Sequence, residues 1–176
     1  GFYSYQLHTT ATQGFPEGVF FRQRQGWSNT IPHLWGAAMD VITLRNMLIR
    51  EQGNTLHLLS CVPSHWLEEG KKIVVKDAPM HWGRCDMEVL AVREAIRMKL
   101  ELFINDKQPN VVLHLPPTIR IASASIDGKP TCEFDDHTLR LDAGASYSPC
   151  ELVVKIKRDL NAKPVTFASK VAAFEA

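Results

Sequence analysis

The chain has 176 residues, 45% hydrophobic and 22% charged, which suits one folded domain or a β-domain with a helical appendage and excludes a disordered chain. Its formal net charge of +1 excludes the electrostatic footprint of a general nucleic-acid binder. No run approaches the ~20 apolar residues needed to cross a bilayer, and the first residues lack the basic head of a signal peptide.

Residues 1 to 31 carry no clean period. They are rich in aromatics (Phe2, Tyr3, Tyr5, Phe15, Phe20, Phe21, Trp27), interrupted by Gly14, Pro16, Gly18 and Gly26. Burying one such side chain is worth roughly 1.5–3 kcal/mol, so the segment is expected to lie against something. A helix comes next: Asn29 or Thr30 can cap it, Pro32 fits its first turn, and Gly53 is placed to stop it. On a helical wheel Leu34, Ala37, Ala38, Val41, Ile42, Leu44, Leu48 and Ile49 gather with Trp35, while Met39 and Met47 extend the apolar area. That arc covers about half the circumference, wider than the ~100° stripe of a helix lying on one sheet. The helix is therefore expected to touch two bodies. Arg45 falls inside the arc, where it needs a partner or an exit to water, and Asp40 falls on the polar side as a surface acid.

From Thr55 the period becomes two. Leu56–Cys61, Ile73–Lys76 and Val111–Leu115 read as strands, and Ile96, Met98, Leu100, Leu102 and Ile104 alternate with Arg97, Lys99, Glu101 and Phe103, a strand in period although the Glu, Met, Lys and Leu content favours helix. Ile119–Ile126 runs into Asp127-Gly128, a two-residue hairpin signal, and returns through Thr131–Phe134. Thr138–Leu141 and Leu152–Lys157 complete the set. The expected fold is mainly β with an N-terminal α-helix, an antiparallel β-sandwich packed against one long helix. Residues 1–53 would form the lead-in and helix, and 54–176 the sandwich domain.

Glycoside hydrolysis needs two facing carboxyl groups. Glu17, in the Gly-Phe-Pro-Glu-Gly turn among aromatics, is the one weak candidate for a catalytic acid, and no dyad emerges. His33 beside Trp35 and close to Trp27 could line a sugar pocket; the plainer account is a helix-start histidine bonded to nearby backbone. Two loops repeat His-Trp, at His65-Trp66 and His81-Trp82. Exposed, these tryptophans would stack on sugar faces; buried, they fill a seam in the core, which is the preferred reading for both. The seven histidines show no helical i,i+4 pair and no HExxH, and no CxxC occurs among Cys61, Cys85, Cys132 and Cys150, so no metal or cofactor is expected. Free, mostly buried thiols are the preferred state of those cysteines. No GxSxG elbow or phosphate-cradling glycine loop is present.

The run Ile31-Pro32-His33-Leu34-Trp35-Gly36-Ala37-Ala38, continuing to Leu44-Arg45-Asn46-Met47-Leu48, resembles the last helix of (α/α)6-barrel, or six-hairpin, glycosidase-like proteins. The next stretch of chain resembles their C-terminal β-domain: Asn54-Thr55-Leu56-His57-Leu58-Leu59, Val62-Pro63, Trp66-Leu67, Lys76-Asp77-Ala78-Pro79 and Trp82-Gly83. The resemblance implies a parent that cleaves or binds glycans, with its catalytic acids on upstream barrel helices. The partners it implies are the rest of that polypeptide, or a subunit mate, and a glycan. Trp35 stands one place later than the family's Gly-Trp order, with Leu34 between, which weakens the transfer of a role to His33 or Trp35. The alternative function is a stand-alone carbohydrate- or protein-binding sandwich. It would display coplanar exposed tryptophans, whereas a barrel-supporting segment would leave a large apolar patch on the helix or its lead-in.

Overall fold

The computed structural model describes residues 33–105, 107–141 and 149–159, together with 16, 18–20, 25, 26 and 172. Asn29, Thr30 and Pro32, the expected start signals of the helix, lie outside the described residues, as does the segment 160–171. The chain divides into two compact units, Met47–Lys163 on one side and Gly1–Asn46 with Pro164–Ala176 on the other.

The second of these holds the described short pair β1 (Val19–Phe20) and β2 (Gln25–Gly26), antiparallel to each other. It also holds most of helix α1 (Leu34–Leu48). His33 is the N-cap of α1. Its carbonyl accepts the Ala37 amide at 2.9 Å, and its ring Nδ1 accepts the Gly36 amide at 3.2 Å, satisfying a donor that the helix itself leaves unpaired. The helix ends at Leu48, short of the expected stop at Gly53, because Ile49 starts a strand at once. The last helical carbonyls are taken up by the returning chain: Leu48 accepts from Leu59 and Met47 from Cys61. Gly53, at φ 57, is instead the first loop residue of a tight hairpin.

That hairpin joins β3 (Ile49–Gln52) to β4 (Thr55–Leu58). The later strands are β5 (Lys72–Met80), β6 (Gly83–Val92), β7 (Ala95–Ile104), β8 (Asn110–His114), β9 (Ile119–Ile126), β10 (Lys129–Thr131), β11 (Thr138–Leu141) and β12 (Cys150–Arg158). They form a six-stranded sheet in the order β10-β9-β12-β7-β6-β5 and a four-stranded sheet in the order β11-β8-β4-β3. The protein is thus mainly β, a two-sheet sandwich with one N-terminal helix among the described residues. The sheets are antiparallel with one departure from expectation: β4 and β8 run parallel. The chain leaves the small sheet after β4, builds β5, β6 and β7 in the large one, and returns in the same direction as β8.

The core between the sheets is made by period-two burial. Leu56 and Leu58 of β4, Val111 and Leu113 of β8, and Leu139 and Leu141 of β11 face Met87, Val89, Met98, Leu100, Leu152 and Val154 of the large sheet. Strand β6 has the same alternation, with Cys85, Met87, Val89 and Ala91 inside. Its pattern is faint in the sequence because cysteine, methionine and alanine are weak strand formers. The Asp127-Gly128 hairpin forms as expected, with φ of 49 and 76 at the two loop residues, the pair of positive values that a type I′ turn requires. Its return strand β10 is shorter than expected, and Phe134 makes only an isolated bridge to Leu139.

Candidate functional site

Helix α1 carries an inverted distribution of side chains. One stripe, Gly36, Asp40 and Met47, is buried, with His33, Ala37 and Leu44 half-buried beside it. The opposite side exposes Leu34 (87%), Trp35 (63%), Val41 (66%), Ile42 (47%) and Met39 (40%) to solvent. A helix of a self-contained protein turns its large apolar residues inward. Over the first two turns it is instead Gly36 and Asp40 that are inside. Asp40, expected as a surface acid, is buried at 8% exposure, and its Oδ1 has no hydrogen-bond partner among the described residues. Burial pushes its carboxyl above the ordinary range, because desolvation disfavours the charged form. His33 stands edge-on to Trp35 with ring centroids 6.5 Å apart. Its Nδ1 is committed to the cap, so any contact with a ligand would fall to Nε2.

The other expected residues are placed differently. Glu17 and Trp27 lie outside the described residues. Trp66 sits in a short 3-10 turn, Ser64–Leu67, half-buried against the core. Trp82 belongs to the core itself at 8% exposure. It occupies the tight β5–β6 loop, held by its carbonyl accepting the Asn105 amide at 2.9 Å, while the His81 amide donates to Glu51 Oε2. Trp82 is thus buried and Trp66 half-buried, and each has its neighbouring histidine edge-on. All four cysteines are reduced thiols, Cys85 and Cys150 buried, Cys61 and Cys132 exposed. Burial pushes the Cys150 thiol up to about 11, which makes it an inert apolar filler. Arg45 is half-buried in the last turn of α1, where a cation complements the helix dipole.

A second constellation is not evident from the sequence. On the outward face of the small sheet, Arg50 of β3, His57 of β4, Val112 of β8 and Arg140 of β11 stand in one register row across all four strands. His114 and Thr138 form the adjacent cross-strand pair. His57 Nδ1 and His114 Nε2 are 2.8 Å apart, one ring N–H donating to the other ring's lone pair, with centroids 5.1 Å apart. Burial lowers the proton affinity of both rings; Arg50 adds to this for His57, and His57 and then Arg50 add to it for His114, against a smaller opposing effect of Asp135. At the edge of this face Asp135 accepts from the Thr138 hydroxyl and from the amides of His137 and Thr138, which together hold its carboxyl down at about 2. The available signal is local: Leu56-His57-Leu58 and Leu113-His114-Leu115 repeat one triplet, and alternation puts both histidines on the polar side.

No protein-family model matches the chain, and no curated protein matches it either. Among solved structures it is similar to a GH127 β-L-arabinofuranosidase from Geobacillus stearothermophilus T6, at 9% identity and a TM-score of 0.38. That similarity covers 78% of this chain and 21% of the length of the other.

Proposed function

We propose that this chain is the C-terminal, non-catalytic segment of a glycoside hydrolase-like enzyme, in which α1 closes a helical barrel and the sandwich supports it. The observation that carries the reading is the inverted burial on α1: Leu34, Trp35, Val41 and Ile42 point to solvent while Gly36 and Asp40 are inside. A run of large apolar side chains on one helix face needs a cover, and neighbouring barrel helices would supply one. The motif resemblance over residues 31–48 supports the same assignment. The placement of Trp66 and Trp82 favours it over a stand-alone sugar-binding sandwich, because a stacking platform needs indole faces open to ligand. Catalytic acids would then come from the barrel, and Trp35 and His33 would be this segment's nearest approach to its interior.

The test is to extend the natural reading frame upstream and compare polypeptides on a panel of nitrophenyl glycosides. The expected outcome is several hundred upstream residues of paired helices, hydrolysis by the extended protein, and none by the 176-residue chain. A frame with no helical region upstream, or turnover by the chain alone that is lost in Glu17→Gln, would sink the reading.

A further inference from the structure

The outward faces of the two sheets are charged in different ways. On the large sheet opposite charges alternate across strands: Lys72 pairs with Glu88 at 2.9 Å, Arg84 pairs with Asp77 at 2.7 Å, and Glu88, Lys99 and Glu151 stand side by side. That part of the face is self-neutralised. On the small sheet the row Arg50, His57, Val112, Arg140 contains two guanidinium groups and no acid. Arg50 donates only to the neutral side-chain carbonyl of Gln52, and among the described residues neither arginine has a carboxylate within ion-pair reach. Glu133 stands cross-strand from Arg140, its carbonyl accepting the Arg140 amide at 2.8 Å. Asp135, whose carboxyl also feels the Arg140 charge, is engaged by Thr138 and two backbone amides, and Asp136 lies by Arg120. Around the row stand hydrogen-bonding side chains, Gln52, Thr55, Asn110 and His114, and no aromatic ring among the described residues of these strands other than the histidines.

We propose that this face is a binding surface for an acidic glycan, an oligosaccharide bearing uronic-acid carboxylates, with Arg50 and Arg140 as the two anion contacts and His57 and His114 between them. The inference rests on the carbohydrate reading for its ligand class; its charge requirement comes from the sheet face alone. Guanidinium groups match carboxylates in a forked, two-hydrogen-bond geometry, and three strand spacings set the arginines about 14 Å apart at their backbones, so one short oligomer can span them. The lack of a described tryptophan, tyrosine or phenylalanine platform on this face favours ion pairing over the ring stacking by which neutral sugars are held. The histidine pair adds a proton: a carboxylate placed beside it favours the charged imidazole, so acidification strengthens binding.

The experiment titrates the full chain with trigalacturonate and, separately, with its methyl-esterified trimer, by calorimetry and by amide chemical shifts at about pH 7.5 and 5.5, either side of an ordinary histidine value. The expected result is binding of the acid form only, tighter at the lower pH, with shifts at Arg50, His57, Val112 and Arg140. Arg50→Gln and Arg140→Gln should each weaken binding about fivefold, the upper end for an exposed ion pair, and the double variant about 25-fold with an unchanged thermal melt. Equal binding of the methyl ester would overturn the proposal while leaving a carbohydrate role intact. Equal binding of inorganic polyphosphate or of a DNA duplex would reduce the face to an unselective polyanion surface, and no binding of trigalacturonate at millimolar concentration would end the proposal. None of these outcomes bears on whether a helical barrel precedes the chain.

Discussion

Gly83 and Gly128 both hold positive φ, at 144 and 76, but for different reasons. Space is open around Gly128, so only the left-handed backbone resists a side chain there. At Gly83 a Cβ would overlap the carbonyl oxygen of Phe103 on the neighbouring strand β7. Gly128→Ala should therefore cost about 1–2 kcal/mol in urea denaturation, the ordinary penalty of an L-residue in the left-handed region. Gly83→Ala should cost clearly more, since β6 and β7 must separate to admit the methyl group. Equal losses would mean that the close approach at Phe103 is relieved at no cost. Asp135 provides a second check at this scale. Its carboxyl is held at about 2, against an ordinary value of 3.8, first by the Thr138 hydroxyl and then by two amides. A depressed carboxyl stabilises the fold above its unfolded value, and that contribution drains away as pH falls from 3.8 towards 2. A carbon-13 titration of the Asp135 carboxyl should find its midpoint near 2, and Thr138→Val should move it up; a midpoint at the ordinary 3.8 in the unaltered chain would deny the three hydrogen bonds.

The junction between β4 and β8 is where alternation along single strands stops predicting structure. Within each strand the sequence is explicit, since Leu-His-Leu puts its leucines inside and its histidine outside twice over. Nothing local states that His57 and His114 are neighbours, because parallel pairing depends on a crossover through three strands of the other sheet. The consequence is a pH dependence. Both rings have folded values below the ordinary 6.5, by burial first and neighbouring positive charge second. The unfolded chain therefore binds more protons than the native one below about 6.5, and stability falls as pH drops through that window. Melting temperature should decline from about pH 7 to pH 5, and the slope should flatten in His57→Gln with His114→Gln. An unchanged slope in that double variant would assign the acid sensitivity elsewhere. Other elements are legible to the degree that composition agrees with period. β7 and β9 carry strong alternation and are evident; β6 alternates as well, but with cysteine, methionine and alanine inside. The end of α1 is ambiguous in sequence because Gly53 is as good a hairpin glycine as a helix stop, and the burial of Asp40 is hidden because a wheel cannot say which side of a helix meets a neighbour.

Across the whole molecule, apolar burial is unevenly distributed. The core cluster runs from Ile49 to Ile156 and lies wholly within the unit Met47–Lys163, while Leu34, Trp35, Val41 and Ile42 of α1 are exposed. The sandwich thus has a closed core with a hydrophobic driving force of its own. Leu113, fully buried in β8, should cost about 2–5 kcal/mol when cut to alanine, the usual loss for a core leucine. By contrast, Leu34→Ser with Val41→Ser and Ile42→Ser should leave the melt of the isolated chain within about 0.5 kcal/mol of its starting stability, as surface changes do. In a polypeptide extended upstream by the proposed barrel, the same triple change should be costly, because there the three side chains would be covered. Denaturation of both polypeptides with and without the substitutions decides it. Equal tolerance in the two contexts would mean that nothing seats on this face of α1, and the barrel assignment would lose its physical ground.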